Sequence, residues 1–171
     1  MNPSLDEEVA QLLRRALHLL SLRPRSEYEL RQKFSHPARG RIYSSEAVNL
    51  IIERLKTMNL IDDRAFAEWL VESRKKRHVR GKILIERELE SHHIKREIIE
   101  EILAKCSPLE ERLLILGILD KKAKKYRHLA TKEQKMKLLY LLARKGFSPS
   151  NTSKIIDDFL QVAYNDIIQG E

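Results

Sequence analysis

The sequence predicts an all-α protein: three tandem three-helix repeats, about nine helices, forming an elongated curved array. Three observations carry this expectation. Leu, Ile, Glu, Lys and Arg dominate a 171-residue chain that is 42% hydrophobic and 34% charged, a mix that suits helices. Gly and Pro number five each, which leaves little material for the turns of a many-stranded fold. Apolar residues recur at helical spacing along the whole chain, in blocks that resemble one another.

The first repeat, 1–60, takes helices at about 5–22, 26–36 and 44–58. Ser4 with Glu7 and Ser26 with Glu29 have capping-box spacing. Leu12, Leu13, Ala16, Leu19 and Leu20 form one apolar stripe, and Val48, Ile51, Ile52 and Leu55 another. The second repeat, 61–106, takes helices at about 62–77, 81–91 and 94–105. Phe66, Trp69 and Leu70 form its first stripe, and Ile98, Ile99, Ile102 and Leu103 its last. The third repeat, 107–163, takes helices at about 108–126, 131–145 and 149–163, followed by a tail at 164–171. Ser107 with Glu110 and Thr131 with Gln134 have capping-box spacing, and Pro108 and Pro149 fall at first helical positions. Gly146 lies where a helix should end.

The repetition is legible by residue. Ile85, Leu89 and Ile94 match Leu138, Leu142 and Phe147 at the same spacing, and Leu30 and Phe34 take the first two of these places in the first repeat. Each repeat ends in an Ile-Ile helix: AVNLIIERL, REIIEEIL, SKIIDDFL. Units this small stack on their neighbours, and such arrays suit binding along another polymer.

The formal net charge is +8. That favours polyanions: nucleic acid, an anionic membrane surface or an acidic partner face. Cys106 is the single cysteine, so no intramolecular disulfide forms. The N-terminus is acidic and lacks a long apolar run, and the longest such run, Leu113–Leu119, is far short of the roughly 20 residues a bilayer span needs. A cytoplasmic protein with no membrane contact is expected.

The stretch LIDDRAFAEWLVESRKKRHVRGK, Leu60–Lys82, turns from acidic to basic. Asp62 fits a helix N-cap, with Ile61 and Phe66 at the spacing of a hydrophobic staple and Asp63 in the first turn. No His, Cys or third carboxylate completes a metal set, so a cap outweighs a metal pair. Phe66, Trp69 and Leu70 read as core, although a lone Trp beside basic residues also suits base stacking. The basic end, Arg74 to Lys82, and a second run, KKAKKYRH at Lys121–His128, hold no acid. Both close the first helix of their repeat, so the two clusters are placed to line one groove. Solvated faces account for many such runs; spaced positive clusters also suit a phosphate backbone or an acidic partner.

At these residues the sequence resembles the RecX family, bacterial regulators of the RecA recombinase. The resemblance rests on ALHLLSLRPRSEYELRQKF, LIDDRAFAEWLVESR, RGKILIERELESHHI and LARKGFSPSNTSKII, which span roughly Ala16 to Ile156. His92-His93 departs from it, standing where members usually carry Lys-Gly before the Ile; Gly146-Phe147 keeps the usual form. The loop after Phe34 is also long. The resemblance implies three tandem three-helix units and a binding protein. Its partner would be the RecA filament, with single-stranded DNA met directly or within the filament. Members suppress the filament's ATP hydrolysis, strand exchange and coprotease action, and so modulate recombination, repair and the SOS response. A monomer is expected.

The residues expected to meet that partner are Arg74, Lys75, Arg77, Arg80, Lys82 and Arg87 in the second repeat, then Lys121, Lys122, Lys124 and Lys125 in the third. No cofactor or metal is implied. Catalysis is not expected: there is no phosphate loop, His-Glu-x-x-His, Gly-x-Ser-x-Gly or Cys-x-x-Cys. His92 and His93 point about 100° apart on a helix and read as solvent-facing. Cys106 reads as a plain thiol. The main alternative is a helix-turn-helix protein acting on duplex DNA. Its Lys-rich helix ends suit phosphates better than base edges. A helical adaptor for an acidic partner is a third reading.

Overall fold

The computed structural model describes residues 4–36, 42–76 and 79–169, with 163–169 as backbone only. The described residues form nine α-helices, one 3-10 helix and no strand. In order they are α1 (Leu5–Leu22), α2 (Glu27–Ser35), α3 (Ser45–Thr57), α4 (Asp63–Lys76), α5 (Lys82–Ser91), α6 (Arg96–Ala104), α7 (Pro108–Lys122), α8 (Thr131–Arg144) and α9 (Pro149–Gln169). The 3-10 helix Ala123–Tyr126 continues α7, where one long helix was expected. α9 also differs from expectation, since it runs on through most of the predicted tail.

The helix starts follow the hydroxyl residues, with three corrections. Ser4 and Glu7 make the full reciprocal box, whereas Ser26 Oγ accepts from Glu29 N–H but the Glu29 carboxylate turns to Arg23 and Arg25, so that box does not close. Ser107 Oγ accepts from Leu109 N–H, so no box closes with Glu110. Thr131 is already helical, with Ala130 as an N-cap that offers no side-chain bond. Asp62 Oδ1 accepts from Arg64 N–H at 2.7 Å and Ala65 N–H at 3.3 Å, so it caps α4. Asp63 does more than sit near a dipole. Its Oδ1 accepts from Glu27 N–H at 2.9 Å, a donor at the start of α2 that lacks an intrahelical partner.

Three helix ends share one geometry. Leu60 N–H donates to Leu55 O, Ile94 N–H to Leu89 O, and Phe147 N–H to Leu142 O, at 2.9, 3.2 and 3.1 Å. The residue before each donor is left-handed: Asn59 (φ 53), His93 (φ 56) and Gly146 (φ 85). This is the Schellman end, with an apolar residue just past it. His93 therefore holds a backbone place that Gly146 fills in the third repeat.

The chain divides into two compact units, residues 1–70 with 89–99 and residues 71–88 with 100–171. The division passes through α4, α5 and α6. The first unit is built on Leu12, Ala16, Leu30, Phe34, Ile51, Ile52 and Leu55, all fully buried. Glu8 is buried there and accepts from the N–H and hydroxyl of Ser44 at 3.1 and 2.6 Å, closing the start of α3. The second unit is built on Ile115, Leu119, Leu138, Leu142, Phe147 and Ile156.

Within the second unit the start of α5 meets the end of α8. Gly81 N–H donates to Lys145 O at 2.8 Å and Ile83 N–H to Gly146 O at 3.1 Å. Unpaired donors at one helix start thus answer unpaired carbonyls past another helix end. The approach requires glycine on both sides. A Cβ on Gly81 would fall against the Gly146 carbonyl, and one on Gly146 would lie 2.6 Å from Leu84 Cγ.

Candidate partner-binding groove

In the second unit the ends of three α-helices carry cations. The last turn of α4 carries Arg74, Lys75 and Lys76, that of α7 carries Lys121 and Lys122, and that of α8 carries Arg144, followed by Lys145. The helix dipole favours positive charge at such ends. It does not require them to converge, yet in the second unit they do. Lys75, Lys76 and Arg80 line one groove of about 820 Å³ together with Lys121, Lys122, Arg144 and Lys145. Val79, Leu84, Leu113, Leu114 and Ile118 give it an apolar floor, and among the described residues no carboxylate lines it. The two basic runs, distant in sequence, thus lie on a common surface.

The expected contact residues divide into several environments. Arg74 is ion-paired with Glu88, and Arg80 Nη1 lies 2.9 Å from the same carboxylate. The Glu88 hydrogen bond raises the pKa of Arg74 above its ordinary value, against a smaller opposing effect of burial. Lys75 bonds Glu72 at 3.2 Å and Glu110 at 2.9 Å. Burial works against the Lys75 ammonium, but the bonds with Glu110 and Glu72 outweigh it and hold the pKa above the usual lysine value. Lys82 donates to the Cys106 carbonyl at 3.1 Å. These four cations therefore have structural work.

Arg87 is exposed on α5 and does not line the groove. Lys124 lines a different cavity, with Asp120, Arg127 and Asp157, and Lys125 is exposed on the 3-10 helix. Arg77 lies outside the described residues. Lys121 and Lys122 are exposed and pair with no carboxylate among the described residues. Sequence reasoning missed three groove residues: Lys76, Arg144 and Lys145. The signal was present, because Arg144 and Lys145 stand just before Gly146, at the place in the third repeat that Ser91 and His92 take in the second. Arg144 lies over the Tyr140 ring, 5.8 Å from its centroid.

The first unit holds an aromatic cluster instead. Trp69 is half-buried, with the Arg23 guanidinium 5.3 Å from its ring centroid. His92 meets the Phe66 ring edge-on at 5.0 Å, and His93 stacks on Tyr28 at 3.9 Å. Of the two histidines expected to face solvent, His93 is exposed and His92 half-buried, and both also pack on aromatic rings. Cys106 is a buried free thiol. Among the described residues no group of three or more His, Cys, Asp or Glu could hold a metal, and no helix is long and apolar enough to cross a membrane.

Comparison with known proteins gives a consistent result. Residues 62–103 match the family model "RecX, second three-helix domain", and residues 110–156 match "RecX, third three-helix domain". The chain is 32% identical over 132 residues to the regulatory protein RecX of Pelodictyon phaeoclathratiforme, covering 77% of this chain and 78% of that one. It is 31% identical over 148 residues to the regulatory protein RecX of Chlorobium phaeobacteroides, covering 85% and 91%. A crystal structure of regulatory protein RecX superposes with a TM-score of 0.76 at 26% identity, covering 88% of this chain and 73% of that one.

Proposed function

This chain belongs to the RecX family of regulatory proteins, and on that premise we propose that it binds RecA filaments on single-stranded DNA and inhibits them. Inhibition covers ATP hydrolysis, strand exchange and coprotease action, so the chain modulates recombination, repair and the SOS response in the cytoplasm. The observation that carries this reading is the groove of the second unit. Two separate basic runs line it, no acid does, and Lys121 and Lys122 are exposed without a carboxylate partner among the described residues. A nucleoprotein filament offers repeated negative charge, and contacts to several of its subunits multiply weak affinities. The chain acts by binding, as a monomer, and its three repeats, 1–60, 61–106 and 107–163, supply successive contact surfaces.

The test is ATP hydrolysis by a RecA filament preformed on single-stranded DNA, with the protein titrated in. The reading expects hydrolysis to fall, and the Lys121→Glu/Lys122→Glu variant to inhibit at least tenfold less potently with its melting temperature unchanged. Unaltered hydrolysis, beside tight binding to duplex DNA in the same buffer, would transfer the case to a duplex-binding helix-turn-helix protein.

A further inference from the structure

The groove has two chemical parts, and a phosphate backbone uses only one of them. Its rim is cationic, while its floor is aliphatic and open. Leu113 is 60% exposed and Leu109, one turn before it, 65%. Gly117 follows at the next turn, and a Cβ there would meet nothing within 4 Å. Lys121 follows at the turn after that. The outer face of α7 therefore reads Leu109, Leu113, Gly117, Lys121 along one line, apolar at one end and cationic at the other. Opposite the cationic end stand Arg144 and Lys145.

Single-stranded nucleic acid binds by pairing phosphates with cations and stacking bases on aromatic rings. None of the described residues lining the groove is aromatic. Aliphatic side chains left open to water gain most from apolar side chains of a protein segment. The missing side chain at Gly117 lets a partner backbone come close.

We propose that this groove receives an acidic amphipathic helix of a partner protein. Its apolar residues pack on Leu113 and its neighbours, and its carboxylates meet Lys121, Lys122, Arg144 and Lys145. This rests on the reading of the chain as a filament regulator and deepens it: the groove contacts protein in the filament, not DNA. Charge complementarity selects an acidic helix over a basic or neutral one, and the apolar floor selects an amphipathic helix over a plain acidic tail.

The experiment uses fluorescence anisotropy of three labelled probes on the full chain. They are a helical peptide of Glu, Ala and Leu with Leu on one face, the same peptide with Ser for Leu, and an oligothymidylate of equal charge. The Leu peptide is expected to bind about tenfold more tightly than the Ser peptide, near the low end of what burying one leucine yields. Leu113→Ser should abolish that difference without weakening the Ser peptide. Leu113 is exposed, so the variant keeps its fold, checked by its melting temperature. Lys121→Glu/Lys122→Glu should weaken both peptides. Equal affinity for the two peptides would overturn the inference. So would oligothymidylate binding that needs Lys121 and Lys122 and exceeds peptide binding, although that result leaves the filament reading standing. Probes all indifferent to Lys121→Glu/Lys122→Glu would overturn both. Self-association of the free chain that Leu113→Ser abolishes, seen by sedimentation, would overturn the inference in favour of a second copy.

Discussion

The two units both hold cations in ion pairs, but they close helix starts differently and only the second gathers cations around a groove. In the first, carboxylates close helix starts and hold cations in pairs. Glu8 closes α3 and Asp63 closes α2. Glu29 pairs with Arg23 and Arg25, and Glu27 with Arg31 and Lys56. In the second, the start of α5 is answered by backbone carbonyls past α8, and exposed cations at helix ends face a groove with no acid among the described residues of its lining. A cation answered by a carboxylate is part of the fold, while one left exposed beside others is available to a partner. The contrast separates structural from functional charge, which the sequence shows only as basic runs without the partners that Arg74, Lys75, Arg80 and Lys82 find in the fold.

The largest effect is expected where the second unit substitutes backbone contact for side-chain capping. Gly81→Ala should cost about 3 kcal/mol, since the added carbon meets backbone that cannot yield. Gly117→Ala should instead stabilise by about 0.5–1 kcal/mol, because that glycine is helical and open. Urea unfolding of the pair measures both. Equal effects at the two glycines would dissolve the proposed lock between α5 and α8.

In the first unit, Glu29→Ala leaves Arg25, with only 10% of its side chain exposed, and Arg23 without their shared carboxylate. A loss of about 2–3 kcal/mol is expected from urea midpoints. A loss below about 0.5 kcal/mol would place this pair among ordinary surface bridges.

Smaller effects come from the two acids around the start of α2, with opposite signs in pH. Burial raises the pKa of Asp63 above its ordinary 3.8, and the Glu27 N–H only partly opposes this. The folded state then binds the proton more tightly than the unfolded state, so the ionised carboxylate costs stability at neutral pH, and the cost disappears below 3.8. Asp63→Asn, which keeps the acceptor, should match or slightly exceed the natural chain at neutral pH. Asp63→Ala should lose about 1 kcal/mol. Burial also opposes the Glu27 carboxylate, but its bonds with Lys56 and Arg31 prevail and lower the pKa below 4.5. Its contribution is present above 4.5 and lost as pH falls through the lower folded value. The Glu27→Gln deficit should therefore shrink on acidification. Unfolding curves at neutral and acid pH read both differences, and a Glu27→Gln deficit that grows in acid would contradict the assignment.

The smallest effect concerns His93. Its left-handed backbone suits glycine, and its ring stacks on Tyr28. His93→Gly should change stability by less than about 0.5 kcal/mol, strain relieved against stacking lost, while His93→Ala should cost about 1 kcal/mol. Thermal melts of the two variants separate these terms.

Much of this was legible in the sequence. Ser4, Ser26, Asp62 and Gly146 mark helix ends by local chemistry, and the Leu and Ile spacings mark the cores. What escaped depended on distant partners. The second use of Asp63 needs Glu27 N–H, which belongs to another helix. The structural duties of Arg74, Arg80 and Lys82 need Glu88 and the Cys106 carbonyl. Lys76, Arg144 and Lys145 became candidates only once α4, α7 and α8 ended on one groove. The break after Lys122 was hidden because KKAKKY is as good an α-helix by composition as the residues before it.

The central claim, that the exposed cations of the second unit hold the partner, is tested most directly by filament affinity across a salt series. The probe is RecA assembled on single-stranded DNA. The variants are Lys121→Glu/Lys122→Glu/Arg144→Glu/Lys145→Glu and, as control, Arg14→Glu/Arg54→Glu on exposed positions of the first unit. The account predicts that the groove variant loses at least about thirtyfold in affinity and has a flatter salt dependence, while the control binds as the natural chain does. Equal affinity and equal salt slopes for all three proteins, each with an unchanged melting temperature, would contradict it.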